Sequence, residues 1–522
     1  MKSMKIINIK HKKLDFNKTN IINLVFVILL STLISLAISK TLVLEHFIGV
    51  FFISAISLSI MFMDIFRYKP SYLKQRKMLI LLGIMFFTTV VFSRITEYVL
   101  FTFVKGFGIL ELKSLTYGIP VHSGAMLVAL LFDSHTAIIF AFIMSIISGI
   151  WQQDPYYTFY VFAGSIVAAF SVIRCKRRTD LLRGGLYVSA VNVVSAAIIA
   201  FLGNGQDMFQ SLHSLIFAAT TGITISAYVS IVLPTFEYLF KITTDISLIE
   251  LLDLNQPLMK NLMINAPGTY HHSVIVGNLV EAASEQIGVN PLLARVTAYY
   301  HDIGKIKMPD YFIENQSSAI NKHEKLTPHM SSMILISHVK EGLELADEYK
   351  LPEPVKDIIT QHHGTHLITY FYQKAKEEQA DPPDEEDYRY PGPKPQTRVA
   401  ALVMIADAVE AASRVIKDPT PARVSGLVEK IINNVLLDGQ LSECDLTLKN
   451  INVIKERFTY ILLGILHKRI EYPGFDFNKP TSGEGEKDKS LDKESQQKDK
   501  DRHSGDKTPP QTGAKVLEFK KG

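Results

Sequence analysis

Eight apolar runs follow one another through the first 236 residues, at 21–39, 41–66, 78–103, 117–132, 136–150, 157–173, 184–201 and 212–236. A helix that spans a bilayer needs about 20 mostly apolar residues, and a soluble core cannot absorb so many such runs in succession. The pattern predicts a transmembrane domain over 21–236, of about eight helices, embedded in a lipid bilayer. The spans flanking Asp133 are the least distinct, because a short loop divides one long apolar stretch there.

Orientation follows from the loops, since Lys and Arg accumulate on the cytoplasmic side. Lys10, Lys12 and Lys13 precede the first run. Arg67, Lys69, Lys74, Arg76 and Lys77 separate the second from the third, and Arg174, Lys176, Arg177, Arg178 and Arg183 follow the sixth. The alternate loops are nearly free of positive charge. Lys105 and Lys113 run against the pattern but are outnumbered. An even number of spans then puts both termini in the cytoplasm, beginning with a basic segment, 1–20. That segment partly resembles a signal peptide, but no small-residue cleavage site follows, so an uncleaved first span is expected. Arg94 and Glu97 stand inside the third run at helical spacing. Charges at membrane depth are costly. The pair either senses or transmits something, or it is an ion pair near the outer interface that stabilises packing.

Beyond about Lys241 the pattern turns to amphipathic helices with polar connectors. Helices are expected at 273–287, 291–300, 331–349, 352–362, 397–415, 419–438 and 446–469, with Asn290-Pro291 and Asp418-Pro419 as starts, Pro just inside an Asn or Asp cap. The segment 380–396, rich in Pro, Asp and Glu, reads as a long loop. The fold class is therefore all-α: a polytopic helix bundle, a connecting helix at 237–255, and a soluble helical domain at 256–474. The last stretch, 475–522, is so poor in apolar residues that a disordered charged tail is expected. Two cysteines, Cys175 and Cys444, one in each half, exclude a disulfide framework and a Cys-based zinc site.

Histidine carries the chemistry of the second half: His271-His272 in PGTYHHS, His301-Asp302 in YYHDIGK, His338 in ISHVKEG, His362-His363 in QHHGT, and then Asp407 in MIADAVEAA. Singly, each is an ordinary residue. Together they fall on or near the ends of successive helices, and helical bundles build metal sites from converging side chains. Imidazole with carboxylate and no thiolate suits iron, manganese or zinc. His272, His301, Asp302 and Asp407 suffice for one ion, and His338, His362 and His363 are surplus unless a second lies nearby. Asp302, with two carboxylate oxygens, is the natural bridge. Two adjacent ions suit phosphodiester hydrolysis.

The run H…HD…H…HH…D is that of the HD-domain phosphohydrolases in their binuclear form. Its surroundings closely resemble the seven-transmembrane HD family, whose PgpH-type members hydrolyse cyclic di-AMP. The similar segments include ITTDISLIELLDLNQPLMKNLMINAPGTYHHS, ARVTAYYHDIGKIKMPDYFIENQ, HVKEGLELADEYKLP, QHHGTHLITYFY, RYPGPKPQT, ADAVEAASR and DGQLSECDLTLKNI. The resemblance runs from about Phe66 to Pro473. It implies that His272, His301, Asp302 and Asp407 hold one divalent ion and that Asp302, His338, His362 and His363 hold another, both manganese or iron. Asp302 is then catalytic. Lys305, one turn on, either meets a phosphate oxygen or caps a helix end. Arg389 and Lys394 form a basic lip for substrate, or a rigid Pro-rich loop with incidental charges, and His271 is structural or supports His272. The implied setting is a bacterial plasma membrane with the HD domain in the cytoplasm. The implied partners are a cyclic dinucleotide and the bilayer, with no nucleic acid polymer. The sequence does not fix the oligomeric state, although the segment 252–263 could pair helices in a homodimer. Family members commonly carry a large extracellular domain between the first two spans; here a few residues near Lys40 join them.

Hydrolysis of cyclic di-AMP to pApA is the reading preferred. Cyclic di-GMP is the nearest rival, but HD domains for that substrate typically continue the His-His pair as HHxxxxGxGYP, and this chain reads HHGTHLITYFY. Hydrolysis of another phosphoester needs fewer ligands than the seven present. A receptor that binds a nucleotide without cleaving it is expected to have lost ligands, and none is missing.

Overall fold

A computed structural model describes residues 16–39, 44–70, 72, 76–106, 113–202, 208–316, 321–378 and 382–466, the side chains of 16–22 and 208–210 excepted. The expected charged tail, 475–522, and residues 1–15 of the basic N-terminus lie outside these. Among the described residues the chain is all-α, and its only β feature is an isolated bridge between Leu367 and Arg389.

Each of the eight apolar runs contains a helix: α1 (Phe16–Ile38), α2 (Leu44–Tyr68), α3 (Arg76–Gly106), α4 (Ser123–Leu131), α5 (Ser134–Gln152), α6 (Pro155–Ser171), α7 (Arg178–Leu202) and α8 (Met208–Phe240). Among the described residues six segments are long and apolar enough to cross a membrane, one of them Ser114–Leu131, a 3₁₀ turn with α4. One expected span falls below that length, α6, of 17 residues; α1 has 23 residues, of which the side chains of Asn23–Ile38 are described. Asp133 and Asp154 cap α5 and α6, each accepting a backbone N–H from the first turn. Arg94 and Glu97 do form an ion pair. Gln152 donates to Glu97 at 3.2 Å, and the Arg94 guanidinium lies 5.8 Å above the Trp151 ring, so the pair ties α3 to α5.

α4 is short because the chain leaves the helical conformation before it. A 3₁₀ turn, Ser114–Gly118, gives way to extended Ile119 and then Pro120, which has no N–H to donate. Irregular backbone at membrane depth must be satisfied by protein. Tyr157 donates its hydroxyl to the Thr116 carbonyl at 2.9 Å, and Tyr160 and Thr221 donate to that of Tyr117 at 2.6 and 2.8 Å.

A single connecting helix at 237–255 is not what forms. α8 ends at Phe240, Lys241 turns with φ 52°, and Thr244 caps a new short helix, α9 (Asp245–Leu251). A positive φ in a non-glycine residue stops helix propagation, and the Thr244 hydroxyl, accepting from Ser247 N–H, starts the next. Arg178, at the start of α7, grips Glu250 of α9 with both arms, at 2.6 and 3.1 Å, and Lys241 pairs with Glu353 at 2.7 Å.

The second half comprises α10 (Pro257–Asn265), α11 (Pro267–Ser284), α12 (Pro291–Tyr300), α13 (Pro328–Glu348), α14 (Glu353–Gln361), α15 (Thr369–Glu378), α16 (Arg398–Ser413), α17 (Pro421–Leu437) and α18 (Leu448–Leu466). Asn290 caps α12 as expected, accepting from Leu292 and Leu293 N–H. The last Pro-led helix starts two residues later than Asp418-Pro419, because Thr420 caps and Pro421 takes the first helical position. α12 lies between two apolar clusters. Ala294 and Ala298 pack with Val280, Leu402 and Phe458, whereas Val296 and Tyr300 pack with Met259, Val355 and Ile359. Leu258, Met259 and Leu262 of the expected pairing segment are buried in that second cluster, so their apolar face is already used within the chain.

Candidate metal centre

His301-Asp302 emerges from the C-terminal end of α12, and its position is set by close approach to α13. A Cβ on Gly304 would stand 1.9 Å from the His338 carbonyl oxygen, so no larger residue fits while α13 holds its place. α11 delivers His272, α13 His338, the end of α14 His362-His363, and α16 Asp407. All seven residues converge. Two groups form, His272, His301, Asp302 and Asp407, and Asp302, His338, His362 and His363, with the ligand atoms of each group within 4.8 Å of one another.

Asp302 belongs to both groups and divides its oxygens between them. Oδ2 faces His301 Nε2 at 3.3 Å and His272 Nε2 at 3.7 Å. Oδ1 faces His338 Nε2 at 3.4 Å and His362 Nε2 at 3.6 Å. Asp407 meets His272 Nε2 at 3.0 Å through Oδ1 and His363 Nδ1 at 3.7 Å through Oδ2. Asp302 is 1 % exposed and His301 and His362 are 0 % exposed.

Three of the imidazoles are held with Nε2 turned toward Asp302, and the Nε2 atoms of His338 and His362 lie 3.3 Å apart. His301 and His362 present Nδ1 to the carbonyls of Ala298 and Ile359 at 2.7 and 2.9 Å, and His338 presents Nδ1 to that of Leu335. A carbonyl accepts only from a protonated nitrogen, which leaves Nε2 with its lone pair. His272 Nδ1 instead meets the Glu410 carboxylate, itself held by Arg414 at 2.8 Å. His272 Nε2, His301 Nε2 and both Asp302 oxygens are buried without a hydrogen-bond partner. Buried polar atoms are rarely left so, and a set of imidazole and carboxylate donors fits a divalent transition metal.

Electrostatics agree. Burial opposes charge on Asp302, but His301 and Lys305 outweigh it and hold the carboxyl well below its usual range. Burial likewise opposes charge on His272, yet the Asp407 and Glu410 carboxylates beside it push it up to about 10. Burial lowers His338 to about 3 and His363 well below its ordinary value.

Lys305 lies 2.6 Å from Asp302 Oδ2, an ionic contact outside hydrogen-bond geometry, and bonds Glu314 at 2.9 Å. Arg389 bonds Glu385 and the Thr365 carbonyl, and Lys394 the Gly439 carbonyl at 3.1 Å, so both polar heads hold the 389–396 loop. Between them, Tyr390 stacks on His363 with ring centroids 4.2 Å apart. His271 is exposed and does not support His272. Glu410, Glu314 and Tyr390 were not singled out in the sequence. Only Glu410 left a signal there, standing three residues after Asp407 on the same helical face.

Residues 44–244 match the family described as 7TM receptor with intracellular HD hydrolase, and residues 269–412 match the HD domain. Cyclic-di-AMP phosphodiesterase PgpH of Bacillus subtilis (strain 168) is 41 % identical over 372 residues, 70 % of this chain and 52 % of that protein. The protein of the same name from Listeria monocytogenes serotype 1/2a (strain 10403S) is 43 % identical over 298 residues, 57 % of this chain and 41 % of its own length. The chain therefore spans about half the length of the curated relatives it matches. The crystal structure of the L. monocytogenes PgpH HD domain in complex with cyclic-di-AMP is 50 % identical, with a TM-score of 0.40, and matches over 42 % of this chain and 100 % of that one.

Proposed function

We propose, from the premise that the chain belongs to the family of 7TM receptors with an intracellular HD hydrolase, that it is a membrane-anchored phosphodiesterase that hydrolyses cyclic di-AMP to pApA. One observation carries the chemistry: a buried carboxylate, Asp302, presents its two oxygens to two different sets of histidines. His272, His301, Asp302 and Asp407 would hold one ion and Asp302, His338, His362 and His363 the other, both manganese or iron. When bound, two such ions supply Lewis-acid charge to the attacking and the leaving oxygen of a phosphodiester. The protein's part is positional. The Nδ1 contacts of the histidines fix their tautomers, Glu410 orients His272, and Lys305, clamped by Glu314, keeps Asp302 ionised. Water adds across one P–O3′ bond, leaving a 5′-phosphate at one end of the linear product and a free 3′-hydroxyl at the other. Adenine as the base rests on the relatives' names and on the HHGTHLITYFY continuation.

The HD domain, 256–474, faces the cytoplasm in this reading. Arg178 grips Glu250, Lys69 lies 3.7 Å from Asp133, and Asp133, Cys175 and Thr244 line one cleft. The Lys- and Arg-rich loops thus stand at the same end of the bundle as the HD domain, the end that positive charge assigns to the cytoplasm. Arg389 and Lys394 act as supports of the loop that carries Tyr390, rather than as direct substrate contacts.

The test is turnover by the full chain in detergent with Mn²⁺, offered cyclic di-AMP or cyclic di-GMP, the products separated by chromatography. Conversion of cyclic di-AMP to pApA, abolished by Asp302→Ala, is expected. Turnover of cyclic di-GMP alone would overturn the substrate, and turnover of neither by metal-loaded protein would overturn the enzyme.

A further inference from the structure

The membrane half holds a second polar centre, at the break that precedes α4. His122, the residue at the start of α4, is 0 % exposed, and neither ring nitrogen has a partner in hydrogen-bond geometry, the Tyr160 backbone lying against the ring but outside it. Asn192 of α7 is equally buried, and neither atom of its amide has one. The two side chains converge on Gly164 of α6. A Cβ there would lie 2.4 Å from His122 Nε2 and 2.3 Å from Asn192 Oδ1, so glycine is what allows them to meet.

Depth raises the cost of these orphaned groups. α4 runs from His122 to the Asp133 end of the bundle, about 15 Å at 1.5 Å per residue, or half of a hydrocarbon core about 30 Å thick. Asn192 lies about 21 Å along α7 from Arg178 by the same rise. Four unsatisfied polar atoms near the middle of a bilayer have no water to turn to, and polar groups at such depth mark ligand or ion sites. The neighbouring break is fully provided for, with the Thr116 and Tyr117 carbonyls bonded by tyrosine and threonine hydroxyls. Several single hydroxyls of the bundle and the Trp151 indole are also buried without a partner, but among the described residues of the bundle only His122 and Asn192 leave both polar atoms of a side chain so.

We propose that His122 and Asn192 bind a small neutral molecule with both a hydrogen-bond donor and an acceptor, held beside Gly164 at mid-bilayer depth. A neutral imidazole and a carboxamide each offer one nitrogen-bound donor face and one acceptor, so a guest such as an amide, an alcohol or water satisfies both at once. Nothing shown against the ring carries charge: its neighbours are Gly164, Asn192 and the ring and backbone of Tyr160. That excludes an ionic guest, whose burial without a counter-charge would be prohibitive. The site spans α4, α6 and α7, and α7 is the helix whose first residue grips Glu250 beneath the HD domain.

The full chain in phospholipid nanodiscs tests this, in a map sharp enough to show ordered water. Expected is non-protein density within hydrogen-bonding distance of both His122 and Asn192. Asn192→Leu, of nearly the same shape, is expected to lower the unfolding temperature by about 1–3 °C, because it removes the guest's partner and strands His122. A direct His122–Asn192 hydrogen bond with no density between them would overturn the site. So would a variant that melts higher, since an apolar side chain relieves a dry polar cavity. Should Asn192→Leu not accumulate, the wild-type map decides alone. Native mass spectrometry separates the supporting cases: a retained extra mass marks an organic solute, and density without it marks water.

Discussion

Glu410 shows how a residue outside the donor set governs it. Its carboxylate takes His272 Nδ1, leaving Nε2 directed at Asp302 and Asp407. Partners of this kind typically tune metal affinity 10–100-fold, so Glu410→Ala is expected to weaken one of two bound ions by about that factor, read by chelator competition, while helicity is kept. The two groups should also differ in their response to pH. His272, raised to about 10, carries a proton at neutral pH that a metal must displace, so filling its group releases a proton and weakens about tenfold per unit of falling pH. His338 and His363 are lowered and carry none to release. Calorimetry in buffers of different ionisation enthalpy counts that proton; its absence would contradict the assignment. The seven donor residues were legible because His and Asp so spaced have few other reasons to recur. Glu410 was not, since a helical glutamate ordinarily faces water and only tertiary burial marks this one. In the adjacent pair His271-His272, one helical step turns the first outward, and which one faces in depends on the packing of α11.

Elements follow local rules where those rules are unopposed. The Asn290 cap with Pro291 starts α12 where the sequence places it, whereas Asp418-Pro419-Thr420-Pro421 offers two caps with two prolines, and the second is used. The break between α8 and α9 was illegible for a different reason: nothing in LFKITTD forbids a helix, and a lysine gives no sign of the positive φ it takes at 241. Crossing of α12's end over α13 rests on Gly304. Gly304→Ala puts a methyl 1.9 Å from the His338 carbonyl, and overpacking of this kind typically costs about 1–3 kcal/mol. Since the displaced helix carries His338, the variant should lose metal from the second group as well as thermal stability. Full metal occupancy in a stable Gly304→Ala protein would show that the contact is not what places His338.

Across the whole molecule, the membrane half was readable from apolar length alone. The short α4 was not, because Pro120 and the tyrosine hydroxyls that support the break act through contacts made by α6 and α8. The Arg178–Glu250 grip joins the halves with side chains 42 % and 45 % exposed, and exposed pairs contribute about 0–1 kcal/mol. Arg178→Ala should therefore barely move the unfolding temperature yet speed amide exchange across 245–251; unchanged exchange would mean that packing alone holds α9. The central claim is that one carboxylate serves two ions, and metal content measures it most directly. Purified with Mn²⁺ and without chelator, the wild-type chain is predicted to carry two ions, His338→Ala one, and Asp302→Ala fewer than one. An Asp302→Ala protein that keeps a full ion, or a wild-type chain that holds only one, would contradict it.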